Sequence, residues 1–235
     1  MDFFSPFFIA FQMLWSLDPE LFGVISLSLS VSITALIVSL LLGLPTGALL
    51  ASFDFRGRNA IIIVSNTFLA MPPVVIGLIV YILVSRSGPL GFMGILYTPV
   101  AMMVAQTILI LPISIALSRQ VFETLNTEYA PLFESLGITS LKRIVTLIIE
   151  ARITLVTIAL ACFGRAISEV GAVMIVGGNI RHSTRVMTTA IGLETSKGEL
   201  ATAMALGVVL LFIALAVNIG SQLLRQHLGR NLENV

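Results

Sequence analysis

Long runs of apolar residues, separated by short polar stretches, make up most of this chain. A helix needs about 20 mostly apolar residues to cross roughly 30 Å of hydrocarbon. Five runs meet this requirement, and we predict transmembrane helices at about residues 21–51, 60–85, 97–118, 153–176 and 200–224. The aromatic segment at residues 3–15 is too short to span comfortably. It predicts an interfacial helix, with a sixth, very short span as the alternative. The pattern is that of an all-α integral membrane protein.

The longest interval that is not simply hydrophobic is residues 119–152, between the third and fourth runs. Pro131 can occupy the first position of a short helix there, because an N–H is not needed at that position. Gly137 suits the end of this helix in the left-handed conformation, and Thr139 or Ser140 can cap the next helix. The short helix is amphipathic, with Leu132, Phe133 and Leu136 on one face and Glu134 and Ser135 on another. We predict that this helix, together with Ile138, is bound by another protein.

This stretch resembles the cytoplasmic coupling loop of binding-protein-dependent ABC importer permeases. The family glycine is present as Gly137 and is preceded by Ser135 and Leu136, as in many members. A second stretch, Gly164–Ala172 followed by Gly178 and Asn179, resembles the oxyanion branch of these permeases, which moves molybdate, sulfate and tungstate.

Three further segments are similar to the tungstate-uptake permeases in particular. They are Gly177–Ile191, Leu193–Gly198 and Glu150–Arg152. The resemblance as a whole covers roughly residues 20 to 225. It implies the transmembrane domain of a type I ABC importer, located as a multi-pass protein in a prokaryotic inner membrane.

The resemblance also implies partners and a cargo. The expected assembly is a homodimer that docks a cytoplasmic ABC ATPase dimer and receives substrate from an extracytoplasmic oxyanion-binding protein. ATP and Mg²⁺ belong to the ATPase, and Leu132, Phe133 and Leu136 are expected to fill a groove on it. Tungstate is the first expected cargo, and a molybdate or sulfate importer is the alternative. A membrane channel that needs no ATPase is the alternative from a different class of protein.

Candidate pathway residues lie where polar or helix-breaking residues interrupt the predicted spans. Pro72 and Pro73 remove two backbone donors, so the second span must kink or open there, either to line a pathway or as a structural bend. Arg165 and Glu169 lie four residues apart in the fourth span, where charges are costly and usually paired. They either lock helix packing or form part of a gate or anion path. The complete predicted set for the pathway or gate is Pro72, Pro73, Arg165, Ser168, Glu169, Gly171 and Asn179.

Composition agrees with this picture and excludes other classes. The chain is 57% hydrophobic and 11% charged, and its formal net charge of +1 gives no nucleic-acid signal. Its two histidines, His182 and His227, lack metal-ligand spacing. No phosphate-binding G-x-x-x-x-G-K-[ST] motif occurs, and no nucleophile with a base and orienter can be assembled. We therefore predict a transport subunit that is not itself an enzyme and binds no cofactor or metal.

The distribution of basic residues orients the chain in the membrane. With the coupling loop in the cytoplasm, the five-span topology places twice as many basic residues inside as outside. Inside are Arg56, Arg58, Arg119, Lys142, Arg143, Arg152, Arg225 and Arg230, and outside are Arg86, Arg181, Arg185 and Lys197. This bias follows the positive-inside rule. The predicted domains are an N-terminal interfacial segment 1–20, a transmembrane domain 21–225 with its coupling region at 119–152, and a cytoplasmic tail 226–235.

Overall fold

The computed structural model describes residues 8, 9, 11, 12, 15 and 19–233, and all regular structure among them is helical. Besides a one-turn 3₁₀ helix at Gly91–Met93, the helices from residue 19 onward are α1 Pro19–Ser52, α2 Arg58–Leu69, α3 Pro73–Val84, α4 Pro99–Ser135, α5 Ser140–Glu150, α6 Arg152–Ile167, α7 Gly171–Gly177, α8 Met187–Lys197 and α9 Leu200–Glu233. The predicted all-α class is confirmed for this part of the chain. The tail predicted to begin at residue 226 continues α9.

Three of these helices, α1, α4 and α9, are each long and apolar enough to cross a membrane. Two bent pairs, α2 with α3 and α5 with α6, pass the same test only when each pair is taken together. Counting each bent pair as one crossing gives up to five, the predicted number, but the second pair covers residues 141–167 and not the predicted 153–176. With 34 residues, α1 extends about 51 Å at 1.5 Å per residue, well beyond the roughly 30 Å of hydrocarbon.

The predicted interfacial helix falls mainly on residues outside the described part of the chain, including Phe3, Phe4 and Phe7. The described residues between 8 and 15 are helical. Phe8, Phe11 and Trp15 are exposed, and the rings of Phe11 and Trp15 stack with centroids 5.8 Å apart. Exposed aromatic rings are typical of the membrane–water interface.

The structure corrects the prediction that a short helix begins at Pro131. Residues 99–135 form one continuous helix of 37 residues, with Pro112 and Pro131 inside it. A proline in a helix removes one backbone hydrogen bond and favours a kink, but tertiary packing holds most helices in place. Here Phe122, which precedes Pro131, and Phe133, which follows it, are both buried in one hydrophobic cluster. This packing keeps α4 helical through the proline.

Two further predictions are corrected in the second half of the chain. The fourth span, predicted as one helix over 153–176, is interrupted between Ile167 and Gly171. The segment 177–199, which the predicted spans leave as the connection between the fourth and the fifth, contains the helix α8. Its polar residues Thr188 and Thr189 are buried, because their hydroxyls bond the backbone: Thr188 donates to the Glu169 carbonyl, and Thr189 accepts from the Val186 N–H.

The chain divides into two compact units, each assembled from three separate segments. The first unit contains residues up to 35, 72–106 and 164–219. Its main cluster joins the start of α1 to α8 and α9 and consists of Leu21, Met187, Ala190, Ala205, Leu206 and Val209. Within the same unit, α3 packs against α7.

The second unit contains residues 36–71, 107–163 and 220 onward. Its core is formed by Ala48, Phe122, Phe133, Leu147 and Ala151. The small residues of α1 allow the close helix approach that their four-residue spacing predicts. Gly43 lies against Ser114, and a Cβ added to Gly47 would lie 2.9 Å from the backbone nitrogen of Arg119.

The contact between α3 and α7 depends on Gly77. A Cβ at this position would lie 2.6 Å from the Cα of Ala172. Gly77→Val should therefore force the two helices apart and destabilise the protein by about 1–3 kcal/mol, the usual cost of overpacking. Thermal unfolding of the purified permease in detergent measures this effect. Gly207→Ala in α9 is the control, because no atom lies within 4 Å of the added Cβ; equal melting of the two variants would contradict the packing argument.

Candidate translocation and coupling sites

The interruption between α6 and α7 is organised around the carboxylate of Glu169. Its Oε2 accepts a hydrogen bond from Arg165 Nη1 at 2.8 Å, and its Oε1 accepts one from the Ala172 N–H at 2.9 Å. The Glu169 side chain is only 4% exposed, whereas that of Arg165 is 35% exposed. The pairing expected from the four-residue spacing is therefore present. Glu169 also satisfies a free N–H in the first turn of α7.

Two residues from elsewhere in the first unit hold this break in place. Thr188 Oγ1 donates to the Glu169 carbonyl at 2.8 Å, and Gln106 Nε2 donates to the Ala166 carbonyl at 2.9 Å. The other amide atom of Gln106, Oε1, is buried and has no hydrogen-bond partner within the described chain. Ser168 is exposed, and its hydroxyl donates back to the Arg165 carbonyl at 3.3 Å. Ser168 and part of Arg165 are thus the accessible polar groups at the break.

The predicted proline kink is a complete break that lies beside this site. Pro72 has an extended conformation and precedes α3, which begins at Pro73. A Cβ added to Gly171 would lie 2.7 Å from Val74 Cγ2, so the first turns of α3 and α7 are in contact. The structure therefore brings Pro72, Pro73, Arg165, Ser168, Glu169 and Gly171 into one region. Irregular backbone at membrane depth is tolerated where it is buried in protein or lines a wet cavity.

The structure does not bring Asn179 to this region. Asn179 follows α7 at its other end, roughly 10 Å further along the axis for a seven-residue helix. Its backbone is left-handed, with a φ of 50°, and its Nδ2 donates to the Thr189 carbonyl at 3.4 Å. Asn179 thus holds the loop at 178–186 against α8.

A group of charged residues that sequence analysis missed lies at the start of α1. Glu20 accepts hydrogen bonds from Arg181 Nε at 2.8 Å and Nη2 at 2.5 Å, and Arg185 Nη1 lies 3.8 Å from Glu20 Oε1. The hydrogen bonds that Arg181 donates to Glu20 raise the pKa of its guanidinium above the usual value. Glu20 and Arg181 are 161 residues apart in sequence, so neither spacing nor periodicity signals the pair. The contact places the start of α1 and the loop at 178–186 on the same side of the membrane, as the charge bias predicts.

The end of α4 in the second unit forms a tight turn at Gly137. The φ of Gly137 is +60°, the left-handed conformation that the sequence predicts. The Ile138 N–H bonds the Phe133 carbonyl at 3.0 Å, and the Gly137 N–H bonds the Glu134 carbonyl at 3.2 Å. This pair of bonds, with Ile138 packed against the cluster that contains Phe133, is a Schellman C-cap.

The residues predicted to contact an ATPase do not all face outward. Leu132, Glu134, Ser135, Leu136 and Gly137 are exposed, and Ile138 is partly buried. Phe133 differs from the prediction because it is only 3% exposed and belongs to the core of this unit.

The orientation of Phe133 follows from the helix to which it belongs. Phe133 lies on the side of α4 that packs against Ala48, Leu147 and Ala151. Its ring stacks on Tyr129, with centroids 6.0 Å apart, and the Arg143 guanidinium lies 5.3 Å from its centroid. Phe133 therefore supports the turn from within the chain, while Leu132 and Leu136 remain available to a partner.

Polar contacts connect this turn to the end of α1. Arg143 Nε donates to Asn126 Oδ1 at 2.6 Å, and Asn126 Nδ2 donates to the Ala51 carbonyl at 3.3 Å. Nearby, Glu123 accepts from both Arg58 and Arg119, at 2.9 and 2.7 Å. Except for Arg119 and Glu123, which are four residues apart, these contacts join residues far apart in the sequence and were not predicted.

The long apolar helices and bent pairs are those of a multi-pass membrane protein, and comparison with known proteins identifies the family. The family described as "Binding-protein-dependent transport system inner membrane component" matches residues 43–234. The chain belongs to this family and is a multi-pass inner-membrane transport subunit.

Individual relatives cover most of the chain. It is 41% identical over 209 residues to the tungstate uptake system permease protein TupB of Peptoclostridium acidaminophilum, an alignment that covers 89% of this chain and 92% of that protein. It is 44% identical over 166 residues to TupB of Campylobacter jejuni, covering 71% and 70%. A probable anion ABC transporter permease protein of Haloferax volcanii is 41% identical over 217 residues, covering 90% and 94%.

Proposed function

We propose that this chain is the permease subunit of an ATP-driven tungstate importer. The observation that carries this proposal is the 41–44% identity to two tungstate uptake permeases over most of the chain. The relative named only as an anion transporter is equally similar, which supports an anionic cargo more broadly. Molybdate and sulfate are therefore the alternative substrates to be tested against tungstate.

The exposed end of α4 is suited to receive force from a cytoplasmic ATPase, which binds the ATP and Mg²⁺. Leu132 and Leu136 are 48% and 64% exposed, so they present an apolar surface to a groove on that partner. Movement of this surface would pass through the Gly137 turn to α5 and, through Arg143 and Asn126, to the end of α1. ATP-driven closure changes the permease only to the extent that the ATPase binds its two conformations differently.

The break between α6 and α7 lines the anion path in this proposal. Arg165 and Glu169 neutralise each other, so a dianion passing the accessible Ser168 hydroxyl and the exposed part of Arg165 meets donors without a strong fixed charge. A charge-assisted hydrogen bond to an oxyanion is roughly twice as strong as a neutral one. Because Arg165 is paired with Glu169, the permease binds the oxyanion weakly enough to release it. Selection among tungstate, molybdate and sulfate is then the role of the extracytoplasmic binding protein.

Two copies of the chain are expected to form the complete pathway. Five crossings enclose little volume, and exposed apolar residues occur on several helices, among them Leu41, Ile63, Ile82 and Leu211. Lipid covers part of such surface, and small-residue contacts of the kind seen at Gly43 are typical of helix association in membranes. A homodimer docked on two ATPase subunits is the arrangement that we propose.

The test is ATPase activity of the permease reconstituted with its ATPase and binding protein, titrated separately with tungstate, molybdate and sulfate. We expect stimulation by tungstate at the lowest concentration. Equal stimulation by all three would limit the proposal to oxyanion import, and no stimulation in an assembled complex would contradict the cargo. Oxyanion flux that persists without any ATPase would instead establish the channel alternative.

A further inference from the structure

A small cleft opens between the first turns of α1 and the loop at 178–186. It has a volume of about 230 Å³ and is lined by residues that include Glu20, Gly23, His182 and Arg185. A water molecule in the liquid occupies about 30 Å³, so the cleft has room for a small hydrated anion. A second cavity of about 170 Å³ shares Glu20 and Arg185 with it. We call the first cavity the Glu20 cleft.

Arg181 holds Glu20 as it would hold an oxyanion. Its Nε and Nη2 donate to the two carboxylate oxygens of Glu20, the bidentate arrangement that a guanidinium also makes with phosphate-like groups. The side chains of Arg181 and Glu20 are 61% and 37% exposed. Ion pairs at such positions contribute little to stability because water and salt screen them. Another anion can therefore replace the Glu20 carboxylate at a small cost in folding free energy.

Arg185 has donor capacity that Glu20 does not satisfy. Its side chain is 19% exposed, and its Nη1 is 3.8 Å from Glu20 Oε1, beyond the range of a hydrogen bond. Its Nε is buried and has no hydrogen-bond partner among the described residues. A buried donor without an acceptor is destabilising. An anion with oxygens on several sides can contact Arg181 and Arg185 together, which a carboxylate held by Arg181 does not do here.

Once Glu20 is displaced, the charges of the two arginines match a dianion better than a monoanion. Arg181 and Arg185 carry two positive charges, and Glu20 carries one negative charge. The other carboxylate beside Arg185 is Glu194, which lines the second cavity and is paired with Lys197 at 2.8 Å. A tetrahedral dianion in place of Glu20 would neutralise both arginines.

We propose that the Glu20 cleft is a reception site for a tetrahedral oxyanion dianion, in which Glu20 occupies the anion position until the anion displaces it. The site lies at the start of α1, on the extracytoplasmic side in the predicted topology, where cargo leaves the binding protein. The inference rests on the proposed oxyanion import but concerns one step, the first contact of the anion with the permease. Glu20 then acts as a built-in competitor that keeps the two arginines from retaining the anion.

Direct binding tests this site. The permease–ATPase complex, without the binding protein, is placed in nanodiscs of phosphatidylcholine, and binding of labelled tungstate is measured by equilibrium dialysis with sulfate as a competitor. Glu20→Gln should tighten binding by about three- to tenfold, because it removes the competing charge. Arg185→Gln should weaken binding by about tenfold, because it removes a charge-assisted donor. Arg86→Gln, which removes an exposed arginine of the same unit, should leave binding unchanged.

Each result bears on the inference. The inference is overturned if Glu20→Gln and Arg185→Gln both bind tungstate with the affinity of the wild type. It is also overturned if neither the wild type nor Glu20→Gln binds tungstate at millimolar concentration. An anionic lipid headgroup offers the same chemistry, so the measurement is repeated with phosphatidylglycerol in the nanodisc. Loss of tungstate binding there would show that the cleft is a headgroup site and would overturn the inference. The ATPase titration tests the proposed function separately from the cleft. If tungstate stimulates ATP hydrolysis but the variants bind tungstate like the wild type, only the cleft inference is rejected. If the permease binds oxyanion but no oxyanion stimulates hydrolysis, only the proposed function is rejected.

Discussion

Gly137→Val should lower oxyanion uptake by at least about tenfold, while Gly137→Asn should preserve most of it. The φ of Gly137 is +60°, a region that costs an ordinary residue about 1–2 kcal/mol and a β-branched residue more. No atom lies within 4 Å of a Cβ added there, so the effect of valine is on the backbone and not on packing. A free-energy change of about 1.4 kcal/mol is a tenfold change in an equilibrium. Uptake into proteoliposomes containing the permease, the ATPase and the binding protein measures the result.

Asparagine is the matched control for this prediction because it adds a side chain of similar size yet tolerates the left-handed conformation. The expected pattern is retained assembly in both variants, with uptake lost only for valine. If valine transports as well as asparagine, the Schellman turn is not part of the coupling path. If both variants lose uptake, the exposed surface at Gly137 matters and its backbone conformation does not.

Arg165→Glu should reduce uptake to background, a loss of more than about 100-fold. The change places a second carboxylate where Arg165 now lies 2.8 Å from Glu169 Oε2. Glu169 is 4% exposed, and removing one partner of a buried ion pair typically costs about 3–5 kcal/mol. Glu169 also holds the first turn of α7 through the Ala172 N–H. The repulsion therefore acts on the backbone of the break as well as on its charge.

Two comparisons separate charge from geometry at this site. Arg86→Glu makes the same charge reversal at an exposed arginine and should transport normally. The exchange of Arg165 and Glu169 for each other restores opposite charges but leaves the Ala172 N–H without its carboxylate, so it should rescue uptake only in part. Full activity of Arg165→Glu in a correctly inserted protein would remove the pair from the mechanism.

The features predicted correctly from sequence are those that depend on local chemistry. The apolar runs at 21–51 and 200–224 match α1 and the membrane-spanning part of α9, because a span requires a continuous apolar segment. The break at Pro72 and Pro73 follows from the missing donors of two prolines. The left-handed turn at Gly137 follows from glycine after an amphipathic segment.

The features that sequence reasoning missed depend on contacts between distant residues. Arg165 and Glu169 have helical spacing, yet the helix ends between them because Glu169 turns its carboxylate to the Ala172 N–H and Thr188 bonds its carbonyl. Thr188 and Thr189 are polar in sequence but buried in α8. Phe133 was assigned to a partner because it was placed on one apolar helix face with Leu132 and Leu136. In each case a tertiary contact decided between two locally acceptable structures.

The contacts at the start of α1 also bear on the order in which the protein is assembled. The first turns of α1 are completed by residues made much later: Arg181 pairs with Glu20, and the Met187 N–H bonds Ser28 Oγ at 2.8 Å. Leu21 belongs to a cluster that includes Ala205 and Val209. A ribosome synthesises the chain from its N-terminus. The helix α1 therefore lacks these partners in the bilayer until α8 and α9 have been synthesised. The helix α1 is therefore made before α8 and α9 but packed only after them.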